Sequence, residues 1–220
     1  FQPKKEHEYI ILTTHNNKAD TMNAKEFGKL TSKGKIFNAV IKDKFPEHSH
    51  PCEERLELKI GAQVMFTKND SSQEKRYFNG KIGEIIDLKK GEVRVKCSDN
   101  SLIIVEPETW ENISYSINPK NKEIEEKVEG SFTQIPLKLA WAITIHKSQG
   151  LTFERAIIDA GHSFAHGQTY VALSRCKTLE GIVLKTKILS SSIINDQRVE
   201  SFTQKIENNL PSQNDLNNSE

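Results

Sequence analysis

The chain has 220 residues, enough to bury a core as one large domain or as one domain carrying a small insertion. Its 31 Lys and Arg are met by 30 Asp and Glu, so the net charge of +1 singles out neither a nucleic-acid nor a membrane partner, and any such site has to be a local patch. Cys52, Cys97 and Cys176 are odd in number and widely spaced, which argues against a disulfide framework and for a reducing, cytoplasmic compartment, and no apolar run reaches the length of a membrane helix.

The chain opens on Phe1 and a charged stretch with no signal-peptide core, and reads as a piece of something longer. Residues 9–14 (Tyr-Ile-Ile-Leu-Thr-Thr) are predicted to be a buried strand of a parallel sheet. A polar turn leads into a helix over 18–27 with Ala19, Met22 and Phe27 on one stripe and Thr14, Asn16 or Asn17 as its cap. Such a strand-to-helix turn suits anions because backbone N–H groups point outward there, although ordinary capping explains the same residues. The run from Gly28 to Lys35 fails as a phosphate-binding P-loop: five residues, not four, separate its glycines, and Ile36 follows the lysine. Residues 36–40 read as a strand. His48, His50 and Cys52 are potential metal ligands with no second pair downstream, so a solvated loop is the preferred reading.

From residue 58 the pattern turns β-rich. Asn79-Gly80 marks a turn, and short runs at 83–88, 92–97 and 101–106 predict a small antiparallel barrel. Its interleaved Lys81, Lys89, Lys90, Arg94 and Lys96 are either a nucleic-acid surface or merely solubilising. Residues 118–129 are expected to form an exposed hairpin or loop within that barrel.

Residues 135–152 (Ile-Pro-Leu-Lys-Leu-Ala-Trp-Ala-Ile-Thr-Ile-His-Lys-Ser-Gln-Gly-Leu-Thr) are the most distinctive stretch. Pro136 at the start and Gly150 at the end predict a helix of about three to four turns. Its polar face would carry Ala140, Thr144, Lys147 and Ser148, a row of donors suited to successive phosphates. Residues 155–159 follow as a strand ending in Asp159, which superficially resembles a Walker B strand but, with no P-loop in the chain, is expected to cap the next turn. His162 and His166 have no evident partner. Residues 167–177 form a second helix on which Gln168, Ala172 and Arg175 share a face away from the core. A strand at 182–186, a helix at 195–206 and a disordered, Asn-rich 208–220 complete the chain.

Strands and helices alternate at both ends around a β-rich middle, which predicts an α/β fold: a parallel-sheet layer interrupted by an inserted barrel. Thr-Ile-His-Lys-Ser-Gln-Gly-Leu-Thr at 144–152, with Ile-Pro-Leu-Lys-Leu-Ala-Trp-Ala before it, resembles motif V of superfamily 1B DNA helicases of the RecD and PIF (petite integration frequency) type. Tyr-Val-Ala-Leu-Ser-Arg at 170–175 resembles motif VI, and Ile-Leu-Thr-Thr-His-Asn at 11–16 resembles motif IV more loosely. The likeness extends over about residues 9–206.

The resemblance implies a RecA-like domain 2A over 1–80 and 135–207, with an inserted SH3-like barrel, 2B, over 81–134. It implies 5′ to 3′ movement of a monomer along single-stranded DNA, driven by ATP and Mg²⁺ held between this domain and an N-terminal RecA-like helicase domain. Carried over by position, Arg175 is the arginine finger, and Gln149, Gly150 and Thr152 lie near ATP. Thr144, His146, Lys147 and Ser148 hold DNA phosphates, joined by Thr14 and Asn16. With neither a Walker A motif nor an Asp-Glu Walker B motif here, the chain alone is expected not to hydrolyse ATP. Three alternatives stand beside this reading: a non-enzymatic single-stranded nucleic-acid-binding module, a metal-dependent enzyme built on His48, His50, Cys52, His162 or His166, and an interaction domain that keeps the fold without the activity.

Overall fold

The computed structural model describes residues 9–117, 122–161, 163–194 and 196–209. Strand β1 (Ile10–Thr13) feeds helix α1 (Asn16–Lys29), and β2 (Lys35–Asn38), β3 (Val40–Asp43), β4 (Arg55–Leu58) and β5 (Gln63–Phe66) follow. The middle holds β6 (Ile82–Lys89), β7 (Glu92–Cys97), β8 (Leu102–Val105), β9 (Glu108–Ile117) and β10 (Ile124–Gln134). The last third runs through β11 (Leu137–Leu139), β12 (Ala142–Thr144), β13 (Ala156–Asp159), α2 (Gln168–Leu173), β14 (Ile182–Leu184) and α3 (Gln197–Asn208).

The expected α/β layer is a four-stranded, all-parallel sheet in the order β12-β1-β13-β14. Its middle strand β1 buries Ile10 and Leu12 completely, against Ile143, Ala156, Ile158 and Ala172. Helix α1 lies against β1 and β12, and its Asn23 closes the sheet edge: the amide donates to Ala142 O and accepts from Ala142 N–H, both at 2.8 Å. That pairing satisfies an edge strand that a hydrophobic residue at 23 would leave open. The helix begins two residues earlier than expected, and the residue at its N-cap is His15, with no side chain capping it; Thr14, Asn16 and Asn17 do not take that role.

The helix expected at 135–150 is absent. β11, β12 and a single 3₁₀ turn at His146–Ser148 occupy that stretch. A short apolar run has no period of its own that separates a buried strand from a buried helix, and Leu-Ala-Trp-Ala favours a helix. The neighbours decide: Ile11 N–H donates to Trp141 O and Ile145 N–H donates to Thr13 O, each at 2.8 Å, while β11 pairs with β5. A helix here would leave β1 and β5 with unpaired edges, and the β-branched run Ile143-Thr144-Ile145 suits the strand.

The short runs of the middle are antiparallel strands, as expected, in the sheet order β11-β5-β6-β7-β8. This sheet draws in β5 and β11 from outside residues 81–134, so the antiparallel layer is larger than the insertion foreseen. β5 welds the two layers. Val64 and Phe66 point into the core formed with Ile85, Val95 and Leu137, whereas Met65, on the opposite face, joins the core of the parallel sheet.

Residues 124–129 are hairpin strand, but not within the five-stranded sheet: β10 pairs with β9 and β3 in a sheet of its own. Cross-strand partners Ile117 and Ile124, with Ile113, Tyr115 and Val128 along the same arm, are exposed, whereas Phe132 at the other end is fully buried. Residues 118–121 lie outside the described residues, as do 210–220, where most of the expected disordered tail falls. The C-terminal helix forms as expected, started by Asp196, whose carboxylate accepts from Arg198 N–H at 2.9 Å.

Candidate nucleic-acid interface

In a parallel sheet every strand delivers its following loop to the same edge, and ligands gather there. Here the loops after β1, β12 and β13 converge. Thr14, His15 and Asn16 come from the first, Thr144, His146 and Lys147 from the end of β12 and the turn after it, and Phe164 from the third, and together they line a cleft of about 290 Å³. Five of the six residues assigned to DNA by sequence, Thr14, Asn16, Thr144, His146 and Lys147, thus meet in one place although Asn16 and Thr144 stand 128 positions apart in the chain.

The sixth does not line it. Ser148 is fully buried and its Oγ donates to Ile145 O at 2.6 Å, so it shapes the turn instead of reaching outward. The row of donors on one helical face is therefore replaced by donors at two strand ends and a turn. Thr14 and Thr144 are buried, while His15, Asn16, His146 and Lys147 are exposed. Thr14 Oγ1 is 2.7 Å from His15 Nδ1, and the Lys147 backbone N–H donates weakly to Thr144 Oγ1 at 3.4 Å, which holds the turn against the end of β12.

Two features favour an anion in the cleft. Helix α1 starts at its wall with no side-chain cap and no acid in its first turn, so the free N–H groups and the positive end of the helix dipole face outward. Among the described residues no carboxylate stands within ion-pairing distance of Lys147. Nearby Lys138 is shifted below the ordinary lysine range by burial first and by the charge of Lys147 second.

Arg175 follows α2, and the face it shares is not the one expected. Gln168 and Ala172 are buried, and the outward residue of the helix is Tyr170, 75 % exposed. The reason is local: Gln168 Oε1 accepts from Phe164 N–H at 3.0 Å, so the amide is used to tie down the preceding loop. The half-buried Arg175 binds three neutral acceptors: Val171 O (3.0 Å), Leu151 O (3.2 Å) and Ser174 Oγ (2.9 Å). Among the described residues no carboxylate is within ion-pairing distance of it, so its positive charge is aimed but not neutralised. The bond to Leu151 O, and that from Phe153 N–H to Arg175 O at 2.8 Å, lay Arg175 against the 149–153 strip. Gln149, Gly150 and Thr152 on this strip are exposed, and Gly150 has φ +76° with open space around it, a backbone that only glycine takes without strain. Thr152 also lines a groove of about 170 Å³ against Phe78, Lys81 and Lys177.

Other candidates go to structural tasks. Cys52 is buried with its Sγ toward Ile135 O, and burial pushes its thiol up to about 12. His50 packs against Phe132 at 4.7 Å between ring centres, tilted by 40°, so this loop packs against the base of the hairpin. Asp159 does not cap a turn: it is buried and paired with Lys185 at 3.0 Å and Lys18 at 3.7 Å. His166 lies 3.6 Å from Asp196, and His162 falls outside the described residues. Lys81, Lys89 and Arg94 are each beside an acid, at 2.9 Å from Asp99 for Lys81 and at 3.7 and 3.6 Å from Glu92 for the other two.

Phe164 is the site residue that sequence reasoning missed. The available signal was an aromatic in the polar loop that follows a predicted parallel strand, at the sheet edge where ligands bind.

No protein-family profile matches the chain. The ATP-dependent DNA helicase Pif1 of Campylobacter jejuni is 34% identical over 184 residues, which cover 77% of this chain and 40% of that protein. Among solved structures, unliganded Pif1 from Bacteroides superposes with a TM-score of 0.84 at 43% identity, covering 93% of this chain and 46% of that one. The Bacteroides Pif1 complex with ADP-AlF3 and single-stranded DNA matches with a TM-score of 0.70 at 42% identity, covering 94% of this chain and 47% of that one. The chain therefore spans a little under half the length of these relatives.

Proposed function

We propose that this chain, a homologue of the C-terminal half of Pif1 helicases, is the second motor domain of an ATP-dependent 5′ to 3′ DNA helicase. Residues 1–80 and 135–207 form the RecA-like domain 2A, and residues 81–134 form an SH3-like insertion, 2B, within the antiparallel layer. The convergence of Thr14, Asn16, Thr144, His146 and Lys147 in one positive cleft is the observation that carries this reading. Single-stranded DNA lies there, its phosphates held by hydroxyl, amide and ammonium donors and by the open end of α1.

ATP and Mg²⁺ are bound mainly by an N-terminal RecA-like domain that supplies the Walker motifs this sequence lacks, and the motor works as a monomer in a reducing compartment. Bound there, the metal would offset charge on the phosphates; this chain contributes Arg175. The donor set fits a phosphoryl group, because a guanidinium held on neutral carbonyls keeps its full charge for an anion arriving from across the cleft. Gln149, Gly150 and Thr152 sit beside the nucleotide. The 3₁₀ turn at His146–Ser148 joins the two sites: Lys147 faces DNA, buried Ser148 fixes the turn, and Gln149 begins the nucleotide strip.

The test joins this chain to an N-terminal RecA-like domain carrying Walker A and B motifs. Arg175→Ala is expected to lower DNA-stimulated ATPase by about 10³-fold or more, within the range seen when arginine fingers are removed, with DNA affinity kept. ATPase that survives the substitution, or robust ATPase from the 220-residue chain alone, would falsify the assignment. A non-enzymatic binding module predicts no ATPase in either protein.

A further inference from the structure

The chemistry of the cleft is not exhausted by phosphate binding. Phe164 is 57% exposed in its wall and belongs to neither hydrophobic core. Its ring centre lies 5.0 Å from that of His15, tilted by 44°, and 6.3 Å from that of His146, tilted by 38°. Three flat π-systems from three separate loops thus meet at the place where the phosphate donors converge. The loop that presents Phe164 is tied down: Phe164 N–H donates to the buried Gln168, Ser163 Oγ donates to Ala160 O at 2.8 Å, and Thr169 Oγ1 is 3.0 Å from Ser163 Oγ. An aromatic ring held in water by a fixed backbone contributes nothing to the core, and a rigid ring beside phosphate donors is the combination from which single-strand binding sites are made.

We propose that Phe164, flanked by His15 and His146, is a stacking platform for one nucleobase of the single strand, with that nucleotide's phosphates on Thr14, Thr144, Lys147 and the start of α1. The proposal rests on the single-stranded DNA reading above and adds base contact to it. Among the described residues no hydrogen-bonding side chain other than the phosphate donors and the two imidazoles lines the cleft, so the platform accepts any base by its π-face and selects single strands over duplex, in which both faces of each base are already stacked.

The test measures binding of the full chain, by fluorescence anisotropy across a salt series, to oligothymidylate and to an abasic oligomer of equal length. Phe164→Ala is expected to weaken oligothymidylate binding about tenfold, to leave the abasic oligomer unaffected, and to keep the salt slope of the wild type, because no phosphate contact is lost. Phe164→Trp should restore affinity and show quenched indole emission on binding the thymidylate but not the abasic strand. Equal weakening on both oligomers, or unchanged thymidylate affinity with normal thermal unfolding, overturns the platform. Wild-type protein that binds both strands equally, with Lys147→Ala weakening both, also overturns the platform while leaving the phosphate reading standing. Absence of salt-dependent binding to either strand overturns both readings.

Discussion

The antiparallel layer and the edge of the parallel sheet both carry basic side chains, but they treat them differently. In the antiparallel layer and the loops joined to it, Lys68 meets Glu108 at 3.0 Å, Arg76 meets Asp70 at 2.9 Å and Lys81 meets Asp99 at 2.9 Å. At the parallel edge Asp159 takes Lys18 and Lys185, but Lys147 there, and Arg175 beside the strip that precedes β13, have no such partner among the described residues, and α1 adds the positive end of its dipole. A cation paired with an acid has its charge spent on the fold, whereas an unpaired cation at a strand end keeps it for a ligand. Composition hides this contrast, because a chain of net charge +1 can hold a positive cleft whenever its acids sit elsewhere.

Beyond Arg175, the largest effect that sharpens the contrast is on stability. Burial opposes ionisation of Asp70, but the Arg76 guanidinium and the N–H groups of Ser72 and Arg76 overcome it and hold the carboxyl well below the usual range. Because the folded pKa is depressed, this stabilisation is present in full above the unfolded value of about 4 and is lost as pH falls toward the folded one. Asp70→Asn is expected to cost about 2 kcal/mol at pH 7, moderated because Arg76 is partly exposed, which lowers Tm by about 4–8 °C in a domain of this size. Thermal scans across pH should show the gap between variant and wild type closing below about pH 4. A gap that does not change with pH would mean that packing, not charge, is what Asp70 supplies.

Lys147→Ala reverses the balance. Thermal stability should stay within about 0.5 kcal/mol of wild type, as for an exposed, unpaired side chain, while affinity for single-stranded DNA falls about fivefold to tenfold. The slope of log affinity against log salt should shrink by about 0.7, the share of one phosphate on a single strand. A lost affinity with an unchanged slope would place Lys147 away from the backbone of the DNA.

How much of this was legible in the sequence depends on what kind of information a feature needs. β1, β6, β7, β13 and the terminal helix carry their own signals of run length, β-branching and flanking turns, and they appear where expected. The stretch at 135–150 did not, because choosing strand over helix there required knowing that β1 and β5 had edges to be filled by a segment more than 70 residues away from either. The grouping of Thr144, His146 and Lys147 did not depend on that choice: they stand at a polar exit from an apolar run whether the run is helix or strand. Ser148 and the face of Arg175 did not survive it, since both had been placed by helical spacing or by assumed exposure. Phe164 stayed hidden because its meaning lies in its neighbours, which come from three separate loops.

The smallest expected effect is the one that most directly probes the comparison. Lys89 sits 3.7 Å from Glu92 and 4.0 Å from Asp87, and Arg94 lies within 3.9 Å of the same two acids, all of them at least partly exposed. Such surface pairs are screened by water and contribute little, so Lys89→Ala should change stability by no more than about 0.5 kcal/mol. It should also leave affinity for single-stranded DNA and its salt slope unchanged, because the acids hold the local potential near neutral before and after the DNA arrives. The measurement is decisive in one direction: if Lys89→Ala weakened DNA binding as much as Lys147→Ala, the strand would have to cross the antiparallel layer as well. The acids beside Lys89 would then have to be displaced by phosphate, a competition that Glu92→Gln would turn into tighter binding.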